Sequence, residues 1–176
     1  MTAVNDTTER TYHPCLYLLD GEDGYLLWYD GDGEKDGVFV DAAGKMLSFR
    51  TKAALIEFAL PNGLRVSREE PDLHHLDSVE AWLANPHPQT LDRDEAIIAW
   101  NLFKDVAESV DGAGAAFKTA DTGLLPIYNK LFEGFSQPSD WALDDEPYDP
   151  ELSPEELQTL VELLTIGFRM FRQARS

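Results

Sequence analysis

Alternating acidic residues between positions 30 and 36 are the first candidates for chemistry in this chain. Asp30, Asp32, Glu34 and Asp36 are spaced like the oxygen ligands of a calcium-binding loop. However, Lys35 stands where such a loop needs a glycine for its sharp turn, and no glutamate follows at the twelfth position. Because aspartate and glycine favour tight turns, the pattern indicates an acidic hairpin turn rather than a metal site.

The histidines and the cysteine form no catalytic or metal-binding pattern. His74 and His75 are adjacent, so their side chains diverge on a helix or strand, and no ligand spacing surrounds them. Cys15 lies beside Leu16 and Tyr17, which favours a buried strand residue over a nucleophile. The sequence also contains no phosphate-binding loop, serine elbow or zinc spacing. We therefore predict a protein that is not an enzyme and that uses no metal or cofactor.

Acidic residues interleaved with aromatic ones say more about function than the histidines and the cysteine do. Residues 134–163 contain nine Asp or Glu residues and no Lys or Arg. Much of this range reads as an irregular loop, and long loops in compact domains are commonly functional or disordered. Aromatic anchors among fixed charges suit an electrostatically steered protein interface, although the same aromatic residues could instead pin the loop onto the helices. The predicted contact residues of this loop are Trp141, Asp144, Asp145, Glu146, Tyr148 and Asp149.

The hairpin turns at 20–24 and 30–36 form a second candidate face for a partner. They carry several acidic residues and lie close in sequence to Trp28 and Tyr29. In this face we predict that Asp30, Asp32 and Glu34 contact the partner.

The charge balance limits the classes of partner. Thirty-three acidic residues against 14 basic ones give a formal net charge of −19. Such a charge repels nucleic-acid phosphates and anionic membrane surfaces, and it speeds association with a basic protein. The competing interpretation is that the charge serves solubility alone.

The sequence also predicts a compartment. The single cysteine rules out an intramolecular disulfide and fits a reducing environment. Residues 1–13 contain no apolar run, which argues against a signal peptide, and no stretch approaches the roughly 20 apolar residues of a membrane span. We therefore expect a cytoplasmic protein.

The order of strand-like and helix-like segments predicts an α+β fold. Four runs between about 15 and 49, separated by Asp-Gly connectors, indicate an antiparallel β-meander, to which 63–67 adds a further strand. Helices are expected at 52–60 after a Thr51 cap, at 78–85 after an Asp77 cap, at about 92–110, at 122–135, and after a capping box formed by Ser153 and Glu156. An N-terminal meander of three to five strands should thus pack with a C-terminal set of four to five helices.

These segments predict one domain. Residues 1–12 are expected to be a disordered N-terminus, and 13–176 to form a single α+β domain. Within it we expect a β-rich lobe at 13–70 and a helical lobe at 72–174.

A resemblance is carried by residues 16–41, 99–110, 128–132 and 148–171. In these runs the chain is similar to small bacterial proteins found beside polymorphic toxins, which look like immunity proteins of contact-dependent inhibition or related secretion systems. The similarity covers most of the chain from about 15 to 172. It implies cytoplasmic residence and neutralisation of one cognate toxin, but it identifies no binding residue, because the motifs concerned are packing motifs.

The function expected from the sequence is therefore that of an immunity protein, which binds and neutralises a toxin through an acidic, aromatic-bearing surface. A nuclease toxin is one candidate, because a basic cleft for phosphate can be occluded by an acidic protein. The alternative is an acidic DNA mimic or adaptor that binds a basic housekeeping protein.

Overall fold

A mixed β-sheet occupies the N-terminal half of the protein. The structure is a computed structural model that describes residues 10–110, 112–135 and 151–175. Strands β1 (Thr11–Leu19) and β2 (Glu22–Tyr29) form a long antiparallel hairpin, in which His13 faces Trp28. The short strands β3 (Gly37–Val38) and β4 (Arg65–Val66) complete the order β3–β2–β1–β4, and β5 (Leu73–His75) also pairs with β1.

The sheet differs from the predicted meander beyond its third strand. The first three strands are antiparallel, as predicted, but β4 and β5 both run parallel to β1. A helix follows 45–49, so the chain crosses over before it returns to the sheet, and a crossover of this kind allows parallel pairing. Residues 45–49 do not form the expected fourth strand, because their only pairings are two isolated bridges, Val40 with Met46 and Tyr25 with Phe49.

Six α-helices lie in the described ranges, and the α+β class is confirmed. Their bounds are α1 (Lys52–Ala59), α2 (Leu76–Leu83), α3 (Arg93–Ser109), α4 (Ala115–Asp121), α5 (Leu125–Phe135) and α6 (Pro154–Ala174). The cap at Thr51 is confirmed, since its hydroxyl accepts a hydrogen bond from Ala54 N–H. The capping box is confirmed as well, because Ser153 and Glu156 exchange reciprocal hydrogen bonds at the start of α6.

Three local predictions were wrong. Asp77 does not cap α2; instead its carboxylate accepts hydrogen bonds from the N–H groups of Asp20 and Gly21. Helix α4 lies between two predicted helices, in a segment where the sequence predicted none. Strand β5 belongs to the sheet, although its residues fall in the range 72–174 that was assigned to the helical lobe.

The N-terminal boundary also differs. β1 begins at Thr11, and Tyr12 is buried between the sheet and α1, where it contacts the rings of Tyr29 and Phe39. The sheet therefore starts within the segment predicted to be disordered, because the aromatic ring of Tyr12 anchors it. Residues 1–9 lie outside the described part of the chain.

The sheet is covered on both faces. Helix α1 packs on one face over a small apolar cluster, while the other face packs against the remaining helices in the main core. Alternation along β2 produces this division, because Leu26 points into the main core and Leu27 into the α1 cluster.

Helix α3 lies in the middle of the main core. It contacts β3, β5 and helices α2, α4, α5 and α6, as the sequence predicts for a helix that is apolar on nearly every side at its start. Phe103 is fully buried and packs edge-on against Phe168 of α6. Close approach of the two helices depends on Gly167, since a Cβ there would lie 2.2 Å from Phe103 Cδ2.

We predict that Gly167→Ala destabilises the protein. Alanine favours a helix over glycine by about 1 kcal/mol, but the added methyl group clashes with a ring that has no space to move. Overpacking of this kind costs about 1–3 kcal/mol, so the net effect should be a lower free energy of unfolding. Urea unfolding measures it. The control is Thr165→Ala on the exposed side of α6, and equal stability of the two variants would contradict the packing argument.

Candidate functional site

A cleft of about 780 Å³ opens where α3 meets the edge of the sheet. Residues of β1, β2 and β5 line it on the side of the sheet, Tyr128 of α5 also contributes, and the turn at 30–36 forms part of its rim. The opposite wall is one face of α3, with residues spaced at three or four positions along the helix. The α3 residues that line the cleft are Ile98, Asn101, Leu102, Lys104, Asp105 and Glu108.

The central polar contact of the cleft joins two elements that are distant in sequence. Trp28 of β2 donates a hydrogen bond from its indole Nε1 to Asp105 Oδ2 of α3, at 2.8 Å. Burial raises the pKa of the Asp105 carboxyl to about 6, and the negative charges of Asp36 and Glu108 add to the rise. The indole hydrogen bond and the positive charge of Lys104 act in the opposite direction.

The acidic turn is fixed against α3 next to this contact. Lys35 Nζ lies 2.9 Å from Glu108 Oε2, and this hydrogen bond holds the pKa of Glu108 below its usual range. Within the turn, the Asp36 carboxylate accepts from Gly31 N–H, and the Asp30 carboxylate accepts from Asp32 N–H. These are the local hydrogen bonds of a tight turn, and they orient its acidic side chains.

The predicted contact residues of the turn are exposed. Asp30, Asp32 and Glu34 all lie at the surface, and Glu34 lines the cleft. None of the three has a cationic partner within ion-pair distance in the described part of the chain. Their negative charges are therefore directed at solvent or at a binding partner.

The other acidic hairpin turn is compensated by positive charge. Asp20 is bound by Arg172 and Arg175 of α6, each with an N···O distance of 2.6 Å, and Glu80 also pairs with Arg172. The hydrogen bond from Arg172 lowers the pKa of Asp20. Within the described ranges, Asp20, Asp77 and Glu80 form the one group close enough to hold a metal ion, but arginine and backbone N–H groups already satisfy their oxygens.

Cys15 and His74 line the cleft without forming a nucleophilic pair. The Cys15 sulfur lies 3.9 Å from both ring nitrogens of His74, and His74 Nδ1 lies 3.1 Å from the carbonyl oxygen of Leu16. Burial raises the pKa of the thiol to about 12, with a further rise from the negative charge of Asp105. The thiolate is the reactive form, so this cysteine is not activated. The prediction that Cys15 is a buried strand residue is confirmed.

The structure thus shows where the predicted turn residues Asp30, Asp32 and Glu34 lie, and it brings further acidic residues near them that the sequence did not indicate. Asp105, Asp36 and Glu108 were not predicted to act together. For Asp105 and Glu108 the signal in the sequence was polar residues spaced three or four positions apart along α3, whereas Asp36 belongs to the acidic turn. The predicted loop residues Trp141, Asp144, Asp145, Glu146, Tyr148 and Asp149 lie outside the described residues.

Comparison of the chain with protein-family models, with curated proteins and with solved structures gives no match. Among the helices of the described ranges, none combines the length and the hydropathy that crossing a membrane would require.

We predict that Asp105→Asn stabilises the protein at neutral pH. In the unfolded chain the pKa of an aspartate is about 3.9, whereas in the folded protein the pKa of Asp105 is about 6, so the folded state binds the carboxyl proton more tightly. The contribution of Asp105 to stability therefore falls as the pH rises from about 4 to about 6. Asparagine stays neutral and still offers a carbonyl oxygen to Trp28. After allowance for solvent screening, the gain at pH 7.5 should be about 1–2 kcal/mol, with little difference at pH 4.

Urea unfolding of both proteins at the two pH values measures this difference. Glu57→Gln on the exposed side of α1 is the control, because it removes one carboxylate that has no partner in the described part of the chain. The other titratable groups that line the cleft (His13, Cys15, Glu34, Lys35, Asp36, Asp72, His74, Lys104, Glu108 and Tyr128) are common to wild type and variant. A variant that is less stable than wild type at pH 7.5 would contradict the view that the charge of this half-buried carboxylate destabilises the folded protein.

Proposed function

We propose that this protein is an immunity protein: a stoichiometric, non-catalytic inhibitor that binds a basic bacterial toxin. The observation that carries the proposal is the uncompensated acidic rim at Asp30, Asp32 and Glu34, held beside an aromatic-lined cleft. The proposal also assigns the protein to the cytoplasm, where a toxin delivered from another cell, or made in the same cell, would be neutralised.

The distribution of charge supports a binding face on this side of the molecule. At the hairpin of β1 and β2, Asp20 is neutralised by the arginines of α6, whereas Asp30, Asp32 and Glu34 have no cationic partner in the described ranges. A concentrated, unpaired charge of one sign steers a partner of the opposite sign and raises its association rate. The overall charge of −19 acts in the same direction.

The shape of this region supports binding rather than catalysis. Trp28 and Tyr128 provide aromatic surface in the cleft, as is common for the anchoring parts of a protein interface. The groups that could do chemistry are unsuited to it: the Cys15 thiol is held protonated, and His74 lies against the carbonyl oxygen of Leu16. Rigid presentation of the turn through Lys35 and Glu108 reduces the entropy lost on association.

The acidic loop is the second part of the proposed surface, and it rests on sequence alone. Its proposed contacts are Trp141, Asp144, Asp145, Glu146, Tyr148 and Asp149, in a stretch without Lys or Arg. Reversing Asp144, Asp145 and Glu146 to lysine should weaken partner binding. Undiminished binding would remove the loop from the proposed surface and leave the turn.

We predict that neutralising the acidic side chains of the 30–36 turn weakens binding of the partner protein. The triple variant Asp30→Asn, Asp32→Asn, Glu34→Gln removes three charges. It preserves the turn, because asparagine tolerates the positive φ of 49° at position 32 and can replace the aspartate acceptor at position 30. Association with the captured partner should slow by about tenfold or more at low salt, and the difference should shrink as salt is raised. Surface plasmon resonance measures both effects.

The control triple is Glu57→Gln, Asp94→Asn, Glu162→Gln, which changes the net charge equally at exposed positions that do not line the cleft. Equal association rates for the two triples would show that only the overall charge matters, and the turn would be excluded as a contact. Capture of several unrelated basic proteins, each released by salt, would favour the acidic adaptor or DNA mimic over an immunity protein.

A further inference from the structure

The cleft beside the turn has the features of a pocket for a positively charged group. Carboxylates outnumber lysines around it, and one of these carboxylates lies on the wall rather than on the exposed rim. Asp105 uses one oxygen to accept the Trp28 hydrogen bond. Its other oxygen, Oδ1, has no hydrogen-bond partner among the described residues and is not sealed from solvent. The charged residues that line the cleft are Glu34, Lys35, Asp36, Asp72, Lys104, Asp105 and Glu108.

Neither lysine of the cleft, Lys35 or Lys104, forms an ion pair with Asp105. Lys35 is engaged with Glu108, and no lysine or arginine nitrogen of the described residues lies within 4.0 Å of the Asp105 carboxylate. A half-buried carboxylate without a cation is costly to the folded protein, and such groups are concentrated at functional sites. The molecule therefore carries a negative charge in a concave place, where an incoming cation would recover the lost solvation energy.

We propose that the cleft receives a cationic side chain of the partner protein, with arginine favoured over lysine, and that this side chain binds the free oxygen of Asp105. The inference rests on the proposed function and specifies its anchor. Charge complementarity selects the occupant, since the cleft holds five carboxylates against two lysines. Nearby Glu34 and Asp36, on the rim, attract the same group during approach.

Arginine fits this environment better than lysine. A guanidinium is planar and weakly hydrated, presents several donors at once, and stacks on aromatic surface. The cleft offers Trp28 and Tyr128 as aromatic walls and Asn101 as a further neutral acceptor or donor. An ammonium ion is more strongly hydrated and would lose more solvation on entering a half-apolar cleft.

The test uses a short peptide as probe. Acetyl-Gly-Arg-Gly-amide is titrated into the ¹⁵N-labelled full chain at pH 7.5, and the indole N–H cross-peak of Trp28 is followed by NMR. The Trp28→Phe variant identifies that cross-peak among those of the four tryptophans. The matched control peptide contains citrulline, which has the shape of arginine without its charge.

We expect the arginine peptide to shift the Trp28 cross-peak saturably, and the citrulline peptide to bind at least about tenfold more weakly. Asp105→Asn should weaken arginine binding by about tenfold, whereas Glu57→Gln should leave it unchanged. A second variant, Glu34→Gln, alters an exposed residue without disturbing the fold and should weaken binding by about threefold.

Equal shifts with arginine and citrulline peptides, or full arginine binding by Asp105→Asn, would overturn the inference. Tighter binding of putrescine than of the arginine peptide would overturn it too, because the cleft would then be a site for a free diamine. If the peptide does not bind but capture of the partner still depends on Asp30, Asp32 and Glu34, the inference fails and the proposed function stands. If the peptide binds but no partner is captured, the proposed function fails.

Discussion

The burial of α3 is the constraint on which the rest of the structure depends. After a charged first turn, residues 96–100 are apolar on nearly every side, so the sheet and four helices must surround the helix. The packing of Phe103 against Gly167 and Phe168 sets how closely α6 approaches. Further along, polar residues take over one side of the helix, and the covering elements separate there. The cleft lies at this separation, so the helix that organises the core also provides the wall of the candidate site.

Charge compensation divides the surface into two unlike regions. Arg172 of α6 binds both Asp20 and Glu80, and Arg175 binds Asp20 again, so the first hairpin and the last helix are joined at one end of the sheet. Exposed ion pairs of this kind contribute little stability individually. Their larger effect is to neutralise Asp20 and Glu80. The acids of the 30–36 turn are not neutralised in this way, and the negative potential is left where the cleft opens.

The stability of the fold and the chemistry of the cleft oppose each other at Asp105. A neutral residue that accepts the indole hydrogen bond would satisfy Trp28 without the cost of a half-buried charge. Proteins commonly retain such costs where a group is needed for function. A cation from a partner would offset the cost, and the binding energy would then come from relief of an unfavourable charge as well as from new contacts.

The sequence predicted the parts of the fold that follow from local patterns. The α+β class, the β1–β2 hairpin, the burial of Cys15, and the caps at Thr51 and Ser153 all depend on residues that are near one another in the chain. Parallel pairing of β4 and β5 could not be predicted, because strands of two or three residues have too little periodicity. Asp77 was misjudged for a different reason: its carboxylate, which could have capped α2, instead accepts a hydrogen bond from the distant backbone N–H of Asp20.

The candidate site was predictable only in part. The acidity of Asp30, Asp32 and Glu34 is visible in the sequence, and their location at the end of β2 follows from the hairpin pattern. The role of Asp105 is not visible, since its raised pKa depends on burial and on Trp28, 77 residues away. The sequence also could not show which of the two acidic turns lacks cationic partners, because the arginines that neutralise Asp20 come from the far end of the chain.

The immunity function is tested most directly by a survival assay with the partner that the tagged protein captures from its own cell. The partner is expressed in a host with and without this chain, and the surviving cells are counted. The immunity function predicts that the partner kills alone, that this chain restores growth, and that the purified pair forms a complex of one copy each. A partner that is harmless alone, or one that still kills when this chain is present in excess, would contradict it.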